Sequence, residues 1–102
     1  MNKHFRLLTL AAAMLALFSS VGCGKLRARD QLNKGVTAYK NAKYEEAIDH
    51  FQQAVALDPS LINAKMYLAT AFAQQYIPGA DTPDNNKMAD QAIEQYQSVL
   101  AM

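Results

Sequence analysis

The stretch that decides the fold is Tyr44-Glu45-Glu46-Ala47-Ile48-Asp49-His50-Phe51-Gln52-Gln53-Ala54-Val55-Ala56-Leu57-Asp58-Pro59. Tyr44, Ala47, Ile48, Phe51, Ala54 and Val55 recur at steps of three and four, which places them on one side of an α-helix. Glu45, Glu46, Asp49, Gln52 and Gln53 occupy the other side and favour water. Leu57-Asp58-Pro59 stops the helix, because proline restricts the residue before it and has no amide hydrogen to donate.

Working outward, a similar helical segment lies on either side. Gln31-Leu32-Asn33-Lys34-Gly35-Val36-Thr37-Ala38-Tyr39 precedes the stretch, and Lys65-Met66-Tyr67-Leu68-Ala69-Thr70-Ala71-Phe72-Ala73 follows it. Gly35 and Ala69, the small residues within them, stand thirty-four positions apart. Self-similarity at such a period signals stacked supersecondary units.

Gly35, Ala47, Phe51, Ala54 and Pro59, at their mutual spacing, resemble the tetratricopeptide repeat, in which a small residue of helix A faces a small residue of helix B. The resemblance implies an all-α fold of antiparallel helix-turn-helix pairs, a solenoid of about two repeats. Gly35 and Ala47 are expected to let two backbones approach, with Phe51 filling the adjoining gap. The first helix A departs from the family pattern at Gln31, Lys34 and Ala38, where larger apolar residues are usual. Its bulky residues are instead Leu32, Val36 and Tyr39.

The second repeat matches through Ala69 and Phe72 in helix A and Ala92 and Tyr96 in helix B. It is stretched by eleven residues, since Ala69 to Ala92 spans twenty-three positions where Gly35 to Ala47 spans twelve. The insertion falls around residues 75–85 and is expected to extend helix A by a turn and add a rigid connector, or else to form a loop that contacts a partner. Pro78-Gly79 marks a turn, and Thr82-Pro83 predicts an N-cap followed by proline in the first helical turn.

The N-terminus reads differently. Lys3 and Arg6 precede an apolar run from Leu7 to Phe18 broken only by Thr9. About 12 residues fall short of the roughly 20 that a membrane-crossing helix needs, and the arrangement fits an export signal over residues 1–22. Ser19-Ser20-Val21-Gly22-Cys23 is similar to the lipobox of bacterial lipoproteins, although Ser20 stands where leucine is usual. The resemblance implies diacylglycerol on the Cys23 thiol and cleavage after Gly22. Two or three acyl chains would anchor the protein to the bilayer. Gly24 in place of aspartate implies the outer membrane, facing the periplasm. The expected organisation is a signal at 1–22, a lipidated cysteine and short tether at 23–28, a first repeat at 29–61 and a second at 62–102.

The chain holds 102 residues with a formal charge of +1. Removing Lys3 and Arg6 leaves eight basic against nine acidic side chains, a mixed surface that gives no reason to expect nucleic acid. Cys23 is the sole cysteine, so no internal disulfide forms. His50, on helix B, lacks a neighbouring nucleophile and reads as a structural residue. Asp81, Asp84 and Asn85 lack the alternation and closing glutamate of a calcium loop. No catalytic residue, metal or cofactor is expected.

The function expected is that of a membrane-tethered adaptor or scaffold that binds envelope proteins or peptides. By the resemblance, its concave side carries Arg29, Leu32, Val36, Tyr39 and Lys40 from the first repeat, and Asn63, Met66, Thr70, Ala73 and Gln74 from the second. The C-terminal helix carries Val99, Leu100 and Met102 without a following helix to cover them. That leaves two expectations: the chain completes its core by self-association or by a partner, or it is a truncated fragment of a longer repeat protein, either without independent binding activity or from a protein carrying a downstream functional domain.

Overall fold

The computed structural model describes residues 2–102, with the side chains of residues 13 and 15–21 outside the description. Four α-helices follow one another: α1 (Asn2–Lys40), α2 (Tyr44–Leu57), α3 (Ile62–Gln75) and α4 (Pro83–Leu100). Each packs against the next, and α1 also touches α3. Short turns make neighbours antiparallel, so α1 and α3 run side by side in the same direction while α2 and α4 run back. This is the all-α stack of helical hairpins that the resemblance implies.

α1 is longer than expected. No proline interrupts it between Asn2 and Lys40, and the helix continues through Cys23 and residues 23–28. At 1.5 Å per residue its 39 residues span about 58 Å, which accounts for most of the 74 Å long axis of the molecule. Gly24 already lies beside the C-terminus of α2: a Cβ built there would stand 3.6 Å from the Leu57 carbonyl oxygen. Residues before it extend beyond the hairpins, and Phe5, Leu7, Leu8, Leu10 and Met14 are exposed there.

α1 ends in a tight reversal in which the Lys43 amide donates to the Ala38 carbonyl (2.9 Å) and the Ala42 amide to that of Tyr39 (3.0 Å). Ala42 takes the left-handed conformation, φ +59°, that such a cap requires and that glycine adopts at less cost. Glu45 and Glu46 then lie in the first turn of α2, where carboxylates favour the positive end of the helix dipole. Asp58 ends α2 in extended backbone, as a residue before proline must. Its carboxylate accepts from the Ser60 hydroxyl (2.6 Å) and the Ser60 amide (3.1 Å), closing the turn into α3. Pro59 itself is exposed, so it terminates the helix and is no part of the interhelical contact.

The core comprises Ala38, Ala47, Phe51, Leu68, Ala71, Phe72 and Ala92, with Leu32, Val36, Tyr39, Ile48, Val55 and Met88 packed around it. Phe51 is the hub. A Cβ added to Gly35 would meet the Phe51 Cε1 at 2.5 Å and Cδ1 at 2.6 Å, closer than any real side chain allows. On its other side the ring stacks on Tyr67 of α3, centroids 5.4 Å apart and planes at 19°. One buried aromatic therefore joins α1, α2 and α3. The group nearest Gly35 is this ring, which occupies the gap that the expected approach of the two helices leaves for it. Ala47 is fully buried in the same cluster, as is Ala54 on its own side of α2.

α3 lies between α2 and α4, which explains its composition. Ala64, Leu68, Ala69, Ala71 and Phe72 are all buried, more than one helix stripe can hold. Ala92 is the small residue of α4 on the second hairpin. Tyr96 is only partly covered, with 37% of its surface exposed and its hydroxyl 3.4 Å from the Thr70 hydroxyl. It is a rim residue rather than a second Phe51.

The insertion also differs from expectation. α3 runs one residue further past Ala69 than α1 does past Gly35. The loop at 76–82 is four residues longer than its counterpart at 41–43, and α4 begins six residues earlier relative to Ala92 than α2 does relative to Ala47. Most of the extra sequence thus lengthens the start of helix B, not the end of helix A. Thr82 caps α4 as predicted, its hydroxyl accepting from the Asn85 amide at 3.2 Å, with Pro83 in the first turn.

Candidate functional site

The adjoining faces of α1 and α3 hold the predicted concave strip. The structure divides its residues. Arg29 and Lys40 are exposed on α1, and Asn63, Met66, Ala73 and Gln74 are exposed on α3. Leu32, Val36 and Tyr39 are half-buried against the core, Tyr39 meeting the Tyr44 ring edge-on at 5.3 Å. They form the floor of the strip more than its reach. Thr70 is half-buried and donates to the Met66 carbonyl at 2.9 Å, so its hydroxyl is already engaged. The result is an apolar floor edged by a cation at either end of the Arg29–Lys40 stretch of α1, chemistry suited to a peptide or helix from a partner.

Two features escaped the sequence. Gln31 registers there only as a missing aromatic. In the structure its Oε1 accepts from His50 Nδ1 at 2.7 Å, while His50 Nε2 lies 3.9 Å from the Glu46 carboxylate. A polar bridge replaces the usual apolar contact between helix A and helix B. It borders a shallow cleft of about 460 Å³ whose walls include Asn33, Lys34, Thr37, Asn41, Lys43 and Glu46. That outer face of the first hairpin is polar and suits water. The polar residue at Gln31, where an aromatic is usual, is the signal that could have shown it.

The second is Asn85, 7% exposed at the start of α4. Its Oδ1 accepts from the Ile77 amide (2.6 Å), and its Nδ2 donates to the carbonyls of Ile77 (2.8 Å) and Ala80 (2.7 Å). These bonds hold the 76–82 loop against α4, with Gly79 supplying the positive φ of +84° at its tip. Asn85 is a structural staple, fully occupied. Asp81 accepts from Asn86 at 3.0 Å, and Asp84 lies in the first turn of the helix. Among the described residues no group of three or more histidine, cysteine or acidic side chains converges on a point that could hold a metal.

At the other end of the stack, Ile93, Tyr96 and Leu100 of α4 are 54%, 37% and 84% exposed. They stand where Ile48, Phe51 and Val55 stand on α2, which α3 covers. Cys23 is an exposed free thiol on α1 at the point where the helix leaves the hairpins. Ser19, Ser20 and Val21, in the segment expected to be a lipobox, lie outside the described side chains.

Comparison with curated proteins and with solved structures returned no match. A family model does match: that of the tetratricopeptide repeat, over residues 28–61. The match covers α1 from Ala28 onward, the Gly35–Phe51 contact, all of α2 and the Asp58–Ser60 turn. Such repeats bind other proteins and are generally not catalytic. Residues 28–61, about a third of the chain, are therefore similar to a tetratricopeptide repeat.

Proposed function

We propose that this protein is a membrane-tethered adaptor of the bacterial cell envelope, anchored through lipid on Cys23 and recruiting other envelope proteins or peptides along the α1–α3 strip. The observation that carries the reading is the arrangement of Val36 and Tyr39 as a half-buried floor beside exposed Met66, Ala73 and Lys40 on two helices aligned in parallel. Lipidation is supported by small residues leading to a solitary cysteine. Its exposure leaves the thiol accessible to the modifying enzyme. The outer membrane, periplasmic side, is the location that Gly24 after the cysteine favours.

In-cell photo-crosslinking tests this. A photo-reactive side chain at Met66 should give discrete protein adducts in the envelope fraction, and the same group at Asp81, on the far loop, should not. Adducts absent at Met66, or equal at both sites, would remove the strip from consideration.

A second reading is favoured by the uncovered α4 stripe: a second copy of the chain packs on Ile93, Tyr96 and Leu100. Sedimentation equilibrium should then show a dimer for the wild type and a monomer after Ile93→Glu with Leu100→Glu. A monomeric wild type would reject this association.

A further inference from the structure

The antiparallel order of the helices gathers one set of residues at a single edge of the stack. Gly24 lies beside the carbonyl of Leu57, so Cys23 meets the same edge as the α2–α3 turn and the first turn of α3. Lys25, Arg27 and Arg29 follow the cysteine within six residues, all exposed, and Lys65, half-buried and donating to the Ser98 hydroxyl at 2.8 Å, stands in the first turn of α3. Against these four cations the edge carries two carboxylates. Asp30 is tied to Lys34 at 3.0 Å, and Asp58 to Ser60. Asp58 also shows where the cations sit. Its carboxyl is held below the usual value first by the Ser60 hydroxyl, and further by the nearby charges of Lys25 and Arg29. The opposite edge reverses the balance, with Lys40, Lys43 and Lys87 against Glu45, Glu46, Asp81 and Asp84. Two bulky apolar side chains also face water at the basic edge, Leu26 at 71% and Ile62 at 48% exposure.

We propose that this basic edge rests on the surface of an anionic lipid bilayer, so that the repeat stands upright on the membrane in one orientation instead of swinging on its anchor. The proposal depends on the reading of Cys23 as the lipid attachment point. With α1 helical through residues 23–28, there is no flexible tether to hold the repeat away from the headgroups. Arg29 is six residues from Cys23, which places it about 9 Å along the helix, within roughly one Debye length of the surface at physiological salt. Cations at that range are drawn to anionic headgroups, and apolar neighbours such as Leu26 can enter the interfacial layer. The edge with more carboxylates then faces away, and the α1–α3 strip runs from the membrane outward, accessible along its length.

The test uses the protein purified from membranes of cells expressing the full chain, with mass spectrometry of its N-terminal peptide. Lipid blocks the native thiol, so a single fluorophore can be placed by Asn63→Cys at the basic edge or by Glu45→Cys at the other. The labelled protein is reconstituted in phosphatidylglycerol–phosphatidylcholine vesicles containing headgroup-quencher lipid. Quenching at residue 63 should exceed that at residue 45 several-fold. High potassium chloride, or Lys25→Gln with Arg27→Gln and Arg29→Gln, should bring the two toward equality. Equal quenching in the wild type, or a difference that neither salt nor the variant reduces, overturns the upright orientation while leaving the anchor intact. An unmodified Cys23 thiol overturns the anchor and the orientation together.

Discussion

At the scale of single residues, two glycines of one helix meet opposite environments. Gly35 is buried beneath the Phe51 ring with no room for a methyl group. Gly24 has a nearest neighbour at 3.6 Å, an ordinary contact distance. Gly35→Ala should therefore destabilise the protein by about 1–3 kcal/mol, because a fully buried ring must shift. Gly24→Ala should stabilise it by up to about 1 kcal/mol, since alanine is the better helix former and nothing obstructs it. Thermal denaturation followed by circular dichroism reads both, and a common sign for the two changes would refute the placement of Phe51. The sequence makes Gly35 and Phe51 visible as a spaced pair. It does not show which side chain sits on the glycine, because Ala47 and Phe51 are one helical turn apart on the same face and spacing alone admits either.

At the scale of elements, helices whose apolar residues form one stripe were legible and their joins were less so. α2 shows its stripe because only one side of it is buried. α3 hides its own, being covered by α2 and α4 together, and it was found through its likeness to the segment around Gly35. The N-cap of α4 was also readable, because Thr82-Pro83 carries a local signal. The distribution of the eleven extra residues was not, since lengthening helix B from its start requires a partner for the loop it displaces. Asn85 is that partner, and nothing local to its sequence distinguishes it from a solvated asparagine. Its three loop bonds predict that Asn85→Ala frees the 76–82 segment at a cost of about 1–3 kcal/mol, the range for leaving buried backbone groups unpaired. Hydrogen exchange at the Ile77 amide should accelerate in this variant while amides in α2 stay protected. Unchanged exchange at Ile77 would mean the loop holds itself.

At the scale of the whole molecule, the two hairpins are unequal in what they leave open. The first ends in a polar face built around Gln31 and His50, and the second in the apolar stripe of Ile93, Tyr96 and Leu100. The candidate strip was set out in the sequence as positions carried over from the family resemblance. How far each reaches was not, because Leu32, Val36 and Tyr39 sink against a core whose depth depends on all three neighbouring helices. Everything on the strip, and the edge that carries Cys23, is positioned by one aromatic ring between two hairpins. Proton NMR of the folded protein tests that arrangement most directly. Nuclear Overhauser contacts should connect the Phe51 ring both to the Gly35 α-protons and to the Tyr67 ring. Contacts to neither, or to one helix only, would contradict it.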